Sequence, residues 1–315
     1  MTEGTYVPHP GAGAYPDVPH FYGEEALAGW KGVADAVHAA GGRIFPQLWH
    51  CGLVPAPGGK LNPDAVGPSG FLKPGVKAIE PTRAGEPMTQ RDIDAVVQAF
   101  GAAAASAQRL GFDGIEIHGA HGYLLDQFFW EGTNQRTDAY GGDLVQRTRF
   151  AAELIGNIRG LVGPNFPICV RFSQWKLQDY TARLAQTPAE LEQFLTPLVG
   201  AGVDLFHCSQ RRFWEPEFEG RDLNLAGWTK KITGKPTITV GSVTLSQEFT
   251  RSFGTADIAA VTGIDELIAR LERDEFDLVA VGRSLIVNPA WPEVVRRGEI
   301  EELLPFQREV LKELV

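Results

Sequence analysis

Two histidines and a tyrosine directly follow a short apolar stretch, and their side chains could together bind an oxygen atom and deliver a proton. Residues 114–117 include two β-branched isoleucines, and His118, His121 and Tyr123 come next. Imidazole N–H groups stabilise an oxygen on which negative charge develops, and a phenol can act as a general acid. The structural alternative is that the histidines serve as caps and that the tyrosine hydroxyl is bonded within the core.

The apolar stretch before these residues predicts where they lie. It is short, β-branched and preceded by a helical pattern, which is typical of a buried strand in a parallel sheet. His118, His121 and Tyr123 would then leave this strand at its C-terminal end. Ligands bind and catalytic groups lie at that end in α/β sheets and barrels. We therefore expect a functional site here.

The composition is that of an ordinary globular protein. Of the 315 residues, 43% are hydrophobic and 22% are charged, and the net charge of −10 argues against nucleic acid or an anionic membrane as the main partner. The cysteines are odd in number and widely spaced, which implies no disulfide framework and fits a reducing cytoplasm; they are Cys51, Cys169 and Cys208. No run approaches the ~18 apolar residues of a membrane span, and the start lacks the features of a signal peptide. We expect a cytoplasmic protein.

Strand-like and helix-like patterns alternate along the whole chain. Seven strands are expected, near residues 3, 45, 115, 169, 205, 238 and 279, the fourth over residues 166–172. Thr89 and Thr187 are the expected N-caps of two helices, with Pro188 at the first helical position of the second. Further helices are expected over residues 143–161 and 305–314, and loops over residues 54–87, 174–187 and from the strand near 115 through Gly142. Because no composition break marks a linker, we expect one domain over residues 1–315. The alternation predicts an α/β fold with a parallel sheet. A doubly wound sheet would usually have fewer strands and a Gly-rich first turn, and no G-x-G-x-x-G or P-loop motif follows a strand. We therefore predict a (β/α)8 TIM barrel with one strand lacking.

The residues at the predicted strand ends form a recognisable set. They lie at 3–4, 47–50, 118–124, 171–173, 241–242 and 282–283. Together with residues 134–142 and 147–150, this set resembles the old yellow enzyme family of flavin-dependent ene-reductases. The resemblance runs from Thr2 to about Pro289 in the family's order. Its most specific parts are the histidine-tyrosine motif and the loop Asn-x-Arg-Thr-Asp-x-Tyr-Gly-Gly.

The resemblance implies an enzyme with FMN lying across the mouth of the barrel. NADH or NADPH would reduce the flavin, and the flavin would pass the hydride to an activated alkene, an α,β-unsaturated carbonyl or nitro compound. His118 and His121 would donate hydrogen bonds to the substrate oxygen, and Tyr123 would protonate the α-carbon. The sequence names neither the physiological alkene nor the nicotinamide. It also leaves the oligomeric state open, a homo-oligomer included.

The resemblance further implies which residues hold the cofactor and the substrate. Gln47 would bond the flavin pyrimidine ring, Arg171 would lie near the N1–C2 carbonyl edge, and Gly4 would let the backbone approach the ring. The phosphate would be bound after the last two strands, by Gly241, Ser242, Gly282 and Arg283. Trp49 and Trp175 would line the substrate pocket. The structural alternatives are core packing for Trp49 and a strand-end ion pair for Arg171.

The beginning of the chain departs from the family pattern. Family members carry a further strand and helix before the segment Thr2-Glu3-Gly4. We therefore expect an N-terminally shortened barrel that lacks the first βα unit and binds FMN less tightly. Two other functions remain open, a flavin-free remnant of the family and a zinc-dependent barrel hydrolase. The hydrolase would use His50, His118, His121 and His207, but no strand-end aspartate completes a ligand set, so we expect no metal.

Overall fold

The computed structural model describes residues 1–72, 82–248 and 258–312. Contacts within the chain divide it into two units, Met1–Phe206 and His207–Val315. Within the described residues, no helix is long and apolar enough to cross a membrane. The two units are described in turn.

Parallel strands alternate with helices in the first unit. Its strands are β1 (Gly4–Tyr6), β2 (Gln47–Trp49), β3 (Phe71–Leu72), β4 (Thr82–Arg83), β5 (Ile115–His121) and β6 (Ile168–Lys176), and β7 (Leu205–Ser209) passes into the second unit. Its helices are α1 (Glu24–Ala39), α2 (Gln90–Arg109), α3 (Leu124–Phe129), α4 (Leu144–Arg147), α5 (Arg149–Val162) and α6 (Pro188–Ala201). β1, β2, β5 and β6 pair in parallel in that order. The strands predicted near residues 3, 45, 115 and 169 are confirmed.

β5 carries the residues predicted to be catalytic. Its isoleucines are fully buried, and it pairs with β6 so that His118 lies beside Arg171. Beyond Gly119 the register shifts, and His121 lies beside Lys176. Such a β-bulge bends the strand and re-aims the side chains that follow it. The two histidines therefore lie on either side of a break in the ladder.

Capping residues fix where two long helices begin. The Thr89 hydroxyl accepts from the Asp92 N–H, and the Asp92 carboxylate accepts from the Thr89 N–H, so a capping box opens α2. Thr187 caps α6, with Pro188 at the first helical position. Both helix starts were predicted from the sequence and are confirmed.

Four features of the first unit differ from the sequence prediction. β6 continues to Lys176, past its predicted end at Phe172, because its last residues pair with the bulged end of β5. α3 occupies a stretch predicted as a loop; all six of its residues are buried, so no amphipathic pattern reveals it. The helix predicted over residues 143–161 is two helices, divided at Thr148. The loop predicted over residues 54–87 contains the antiparallel pair β3–β4.

The second unit continues the alternation of strands and helices. β8 (Thr237–Val240) and β9 (Leu278–Ala280) pair in parallel. Its helices are α7 (Leu225–Thr233), α8 (Asp265–Glu272), α9 (Arg283–Val287) and α10 (Trp291–Arg297), with 3₁₀ turns at Ile300–Glu302 and Arg308–Lys312. The strands predicted near residues 205, 238 and 279 are confirmed, whereas α8 was not predicted. The helix predicted over residues 305–314 is a 3₁₀ turn in its described part; residues 313 and 314 lie outside the described residues.

Candidate active site

His118 lies where the regular pairing of β5 ends, with only 5% of its surface exposed. Its Nδ1 accepts a hydrogen bond from the Ala120 N–H at 3.4 Å. In a neutral imidazole one nitrogen accepts and the other donates, so Nε2 carries the proton. His118 is therefore set to donate a hydrogen bond, as its predicted role requires.

His121 follows the bulge and has a φ of 64°, in the left-handed region that few residues other than glycine adopt. Both of its backbone polar groups are bonded. The N–H donates to Ser173 Oγ at 3.0 Å, and the carbonyl accepts from the Leu177 N–H at 3.3 Å. The imidazole stacks on Trp175, with 4.6 Å between ring centroids. Trp175 lies within β6 and not on a loop as predicted, and there it supports a histidine of the site.

The structure brings the three predicted catalytic rings together. The ring centroids of His118 and His121 are 5.2 Å apart, and those of His118 and Tyr123 are 5.1 Å apart. Burial raises the pKa of the Tyr123 phenol, and the neighbouring Tyr15 raises it further. The phenol therefore stays protonated at neutral pH and is available as a proton donor. Its hydroxyl lies 3.1 Å from the hydroxyl of Tyr15.

Trp49 packs against three other rings of the site. It stacks on His118 at 5.7 Å and on Tyr15 at 5.6 Å, and it meets Tyr123 edge-on at 4.8 Å. Tyr15 was not among the predicted site residues, because it lies in a Gly/Pro-rich loop 108 residues before Tyr123. The available signal was its place after β1, on a loop at the C-terminal end of a strand.

A buried carboxylate links two residues predicted to bind the flavin. Glu116 of β5 is fully buried, and it accepts hydrogen bonds from Gln47 Nε2 at 2.6 Å and from Cys169 Sγ at 3.5 Å. Burial lowers the pKa of Arg171, and the charge of Glu116 opposes that shift. Glu116 was missed because a single charge within an apolar strand does not disturb the strand pattern.

The Arg171 guanidinium offers a test of whether these residues suit a flavin. Its Nε is buried and has no hydrogen-bond acceptor within the described residues. A buried donor without an acceptor costs free energy, so this atom suits a ligand that brings an acceptor. The carbonyl edge of a flavin pyrimidine ring carries such acceptors, and the nearby Gln47 amide can both donate and accept. The residues therefore fit FMN.

Gly4 has a steric reason to lack a side chain. A Cβ at this position would lie 2.6 Å from Cε3 of Trp49 and 3.3 Å from Oε1 of Gln47. The glycine thus makes room for two side chains of the site. Its role at the flavin ring stays a prediction.

The residues predicted to bind phosphate belong to the second unit. Gly241 has a φ of 130°, and a Cβ there would lie 2.8 Å from a backbone carbonyl oxygen. Ser242 Oγ lies 3.1 and 2.9 Å from two backbone carbonyl oxygens, and its hydroxyl hydrogen is shared between them. Gly282 immediately precedes α9, and the Arg283 guanidinium donates to the carbonyl of Gln247 at 2.6 Å. Phosphate binding by these residues stays a prediction.

The loop Asn-x-Arg-Thr-Asp-x-Tyr-Gly-Gly holds α3 in place. Asn134 Nδ2 donates to the carbonyl groups of Phe128 and Tyr140, at 2.7 and 2.8 Å. Arg147 Nε donates to the carbonyl of Phe129 at 2.7 Å. Phe128 and Phe129 end α3, the helix that starts directly after the predicted proton donor. The contacts of this motif are therefore structural.

His50, a ligand in the zinc alternative, is engaged by other groups. Its Nδ1 accepts from the Gly52 N–H at 3.0 Å, and its Nε2 lies 3.0 Å from Nδ1 of His9. Among the described residues, no group of three or more His, Cys, Asp or Glu side chains is arranged to hold a metal ion. The described residues therefore give no support to a zinc hydrolase.

Comparisons with known proteins identify the family. The sequence profile of the NADH:flavin oxidoreductase / NADH oxidase family matches residues 1–302. The chain belongs to this family. FMN is the family's cofactor, and the resemblance to old yellow enzymes that the sequence motifs indicated is confirmed.

Relatives in the family match most of this chain. It is 36% identical over 292 residues to an NADH oxidase of Thermoanaerobacter brockii, a match that covers 89% of this chain and 40% of the oxidase. It is 32% identical over 308 residues to the flavin oxidoreductase hxnT of Emericella nidulans, covering 95% and 76% of the two chains. It is 31% identical over 290 residues to 12-oxophytodienoate reductase 2 of Arabidopsis thaliana, covering 90% and 71%. The chain thus spans less than half the length of the oxidase.

Solved structures share the fold of this family member. Morphinone reductase in complex with tetrahydroNAD matches with a TM-score of 0.71 and 28% identity, over 94% of this chain and 77% of the reductase. The old yellow enzyme homologue from Zymomonas mobilis matches with a TM-score of 0.75 over 98% of this chain and 81% of the homologue, and its 24% identity speaks for the fold alone. The predicted fold class, a (β/α)8 barrel, is confirmed; in the described residues it has seven strands besides the antiparallel pair β3–β4.

Proposed function

We propose that the protein is an FMN-dependent ene-reductase that uses NADH or NADPH to reduce the activated C=C bond of an α,β-unsaturated carbonyl or nitro compound. The cluster of His118, His121 and Tyr123 is the observation that supports this reaction. It combines two imidazoles 5.2 Å apart with a buried, protonated phenol. The names of two family relatives, a 12-oxophytodienoate reductase and morphinone reductase, point the same way.

Within each unit, the predicted cofactor residues suit one part of FMN. When bound, FMN supplies hydride transfer from a nicotinamide to the substrate. In the first unit, the Gln47 amide and the Arg171 guanidinium suit the polar edge of the flavin ring, and Arg171 also brings a positive charge. In the second unit, the backbone N–H groups of Gly241 and Ser242 and the Arg283 guanidinium suit a phosphate dianion.

The chain's own residues would then stabilise charge and supply a proton. A hydride added to the β-carbon of an enone leaves negative charge on the carbonyl oxygen. His118, protonated at Nε2, and His121 would donate hydrogen bonds to that oxygen, and each such donor contributes about 10²–10³ in rate. Tyr123 would protonate the α-carbon. Trp49 would provide an apolar wall that excludes water from the reacting atoms.

Removing both imidazoles tests the proposal. His118→Ala combined with His121→Ala should leave FMN bound and its reduction by NADH or NADPH intact, while reduction of an enone such as 2-cyclohexenone falls by about 10² or more. The control is His20→Ala, which removes an exposed imidazole outside the cluster. Enone turnover that survives the double substitution would contradict the assignment. A wild-type protein that purifies without FMN and fails to bind it would contradict the proposed function itself.

A further inference from the structure

A buried ion pair lies next to the proposed catalytic turn. Asp126 and Lys176 both have side chains with 0% exposure, and Lys176 Nζ lies 2.6 Å from Asp126 Oδ1. Burial raises the pKa of Asp126 and lowers that of Lys176, while each partner's charge opposes the shift of the other. Buried ion pairs often add little stability compared with apolar residues of the same size. The pair therefore calls for an explanation other than stability.

The second oxygen of Asp126 reaches the backbone of the turn. Oδ2 accepts a hydrogen bond from the Gly122 N–H at 2.7 Å. Gly122 stands between His121 and Tyr123, the imidazole and the phenol of the proposed site. Lys176, on the other side of the pair, lies beside His121 in the β5–β6 ladder. The ion pair thus connects the residue that follows His121 in the chain with the residue that lies opposite His121 on β6.

The turn has an unusual backbone that must be held. His121 and Gly122 have φ values of 64° and 82°, so two consecutive residues are left-handed. This conformation is costly for a residue with a Cβ. The N–H and carbonyl groups of His121 and Gly122 are all bonded, and the Gly122 carbonyl accepts from Gln127 Nε2 at 2.9 Å. The Tyr123 N–H also donates to the Ala120 carbonyl, at 3.3 Å. Of these, the bond to Asp126 is the one made to a charged group, and charge-assisted bonds are the stronger kind.

We propose that Asp126 and Lys176 are positioning residues for the proposed ene-reduction. Asp126 accepts from the Gly122 N–H, Lys176 holds the Asp126 carboxylate in place, and the turn so fixed positions His121 and Tyr123 beside His118. The inference rests on the proposed function for its catalytic consequence. Whether Asp126 and Lys176 hold the turn in place is independent of that function and can be measured without a substrate.

Two double variants isolate the hydrogen bond from the charges. Asp126→Asn with Lys176→Met removes both charges but keeps an acceptor for the Gly122 N–H. Asp126→Leu with Lys176→Met removes both charges and the acceptor. Because neither variant leaves a buried charge unpaired, both are expected to fold, which thermal unfolding will check. The two proteins differ at residue 126 alone: asparagine keeps an oxygen that can accept from the Gly122 N–H, and leucine, of similar size, has none.

Hydrogen exchange of the Gly122 amide, measured by NMR, reports on the turn without any substrate. We expect exchange about tenfold or more faster in the leucine variant than in the asparagine variant, since a buried hydrogen bond is lost. Stopped-flow measurements should show a matching loss in reduction of 2-cyclohexenone by the leucine variant, with flavin reduction by the nicotinamide unchanged. The asparagine variant keeps the acceptor but lacks the Lys176 anchor, so its enone reduction should lie between that of the leucine variant and that of wild type; enone reduction at the wild-type rate would contradict the role of Lys176.

Equal exchange in the two variants, or a rate loss without faster exchange, would overturn the inference. If wild-type protein binds FMN but reduces no enone, the proposed function fails while the exchange comparison still decides the role of the pair. If the leucine variant does not fold, Ser173→Ala replaces it, because this change removes the acceptor of the His121 N–H on the opposite side of the turn. Wild-type enone reduction by folded Ser173→Ala would then show that the turn needs no such anchoring, and the inference would fall.

Discussion

Replacing Glu116 by glutamine should destabilise the FMN-free protein while barely changing its shape. Glu116 is fully buried, and its two oxygens accept from Gln47 at 2.6 Å and Cys169 at 3.5 Å. A hydrogen bond to a charged acceptor is worth about 1 kcal/mol more than one to a neutral acceptor. The substitution also removes the negative charge beside Arg171. Breaking a fully buried ion pair costs ~3–5 kcal/mol of stability. Because Arg171 is partly exposed, we put this loss of stability lower, at about 1–2 kcal/mol. We therefore expect a loss of about 2–3 kcal/mol.

Urea unfolding of the FMN-free proteins measures this loss. The control is Glu192→Gln, which makes the same chemical change on an exposed residue of α6 and should stay within about 0.5 kcal/mol of wild type. If Glu116→Gln also stays within that limit, the carboxylate does not hold Gln47 and Arg171 as reasoned above.

The same substitution should weaken FMN binding. A carboxylate only accepts hydrogen bonds, so Glu116 holds the Gln47 amide with its NH₂ group towards β5. A glutamine at position 116 both donates and accepts, and it leaves the Gln47 amide free to turn over. We expect the Kd for FMN to rise about tenfold, the effect of losing roughly 1.4 kcal/mol. An unchanged Kd in a folded, destabilised variant would mean that the orientation of Gln47 does not matter for FMN.

Two further outcomes are expected. Tyr123→Phe should slow the reduction of an enone but leave flavin reduction by the nicotinamide unchanged, because only the former needs the phenol proton. Equal slowing of both half-reactions, or no slowing of enone reduction, would remove Tyr123 as the acid. Burial lowers the pKa of His50 well below its ordinary value, with the neighbouring His9 adding to the shift, and burial also lowers the pKa of His9. Both are therefore protonated less readily in the folded state than in the unfolded state. Stability that is present above the unfolded pKa of about 6.5 should be lost as the pH falls, by up to about 1.4 kcal/mol per pH unit for each histidine. Urea unfolding between pH 7.5 and 5.5 measures this slope, and His50→Gln should reduce it; an unchanged slope in that variant would contradict the role of His50.

The sequence predicted those parts of the site that follow a strand along the chain. His118, His121 and Tyr123 could be predicted as one group because they directly follow the apolar pattern of one buried strand. Thr89 and Thr187 were predicted as caps because capping depends on residues within one turn. In each case the information is local.

The parts that were missed depend on contacts between distant segments. Tyr15 belongs to the site only because its loop brings its hydroxyl to Tyr123. Glu116 and Lys176 lie in strands whose apolar pattern hides a single charge, and the partner of each becomes visible only in three dimensions. α3 was missed for a related reason, since a helix buried on all sides has no polar face to give it a period.

The left-handed backbone at His121 limits which residues can replace it in evolution. Among residues with a Cβ, Asn, Asp and His adopt positive φ several-fold more often than the rest, and of these three only Asn and His carry a side-chain N–H. Gln, Lys or Arg would supply a donor but would add strain to the turn. Exchange between histidine and asparagine is therefore the route open to a descendant that keeps both the turn and the hydrogen bond. Histidine changes its charge near neutral pH, whereas asparagine does not. The exchange can therefore change the pH range over which this site works while the architecture of the site stays the same.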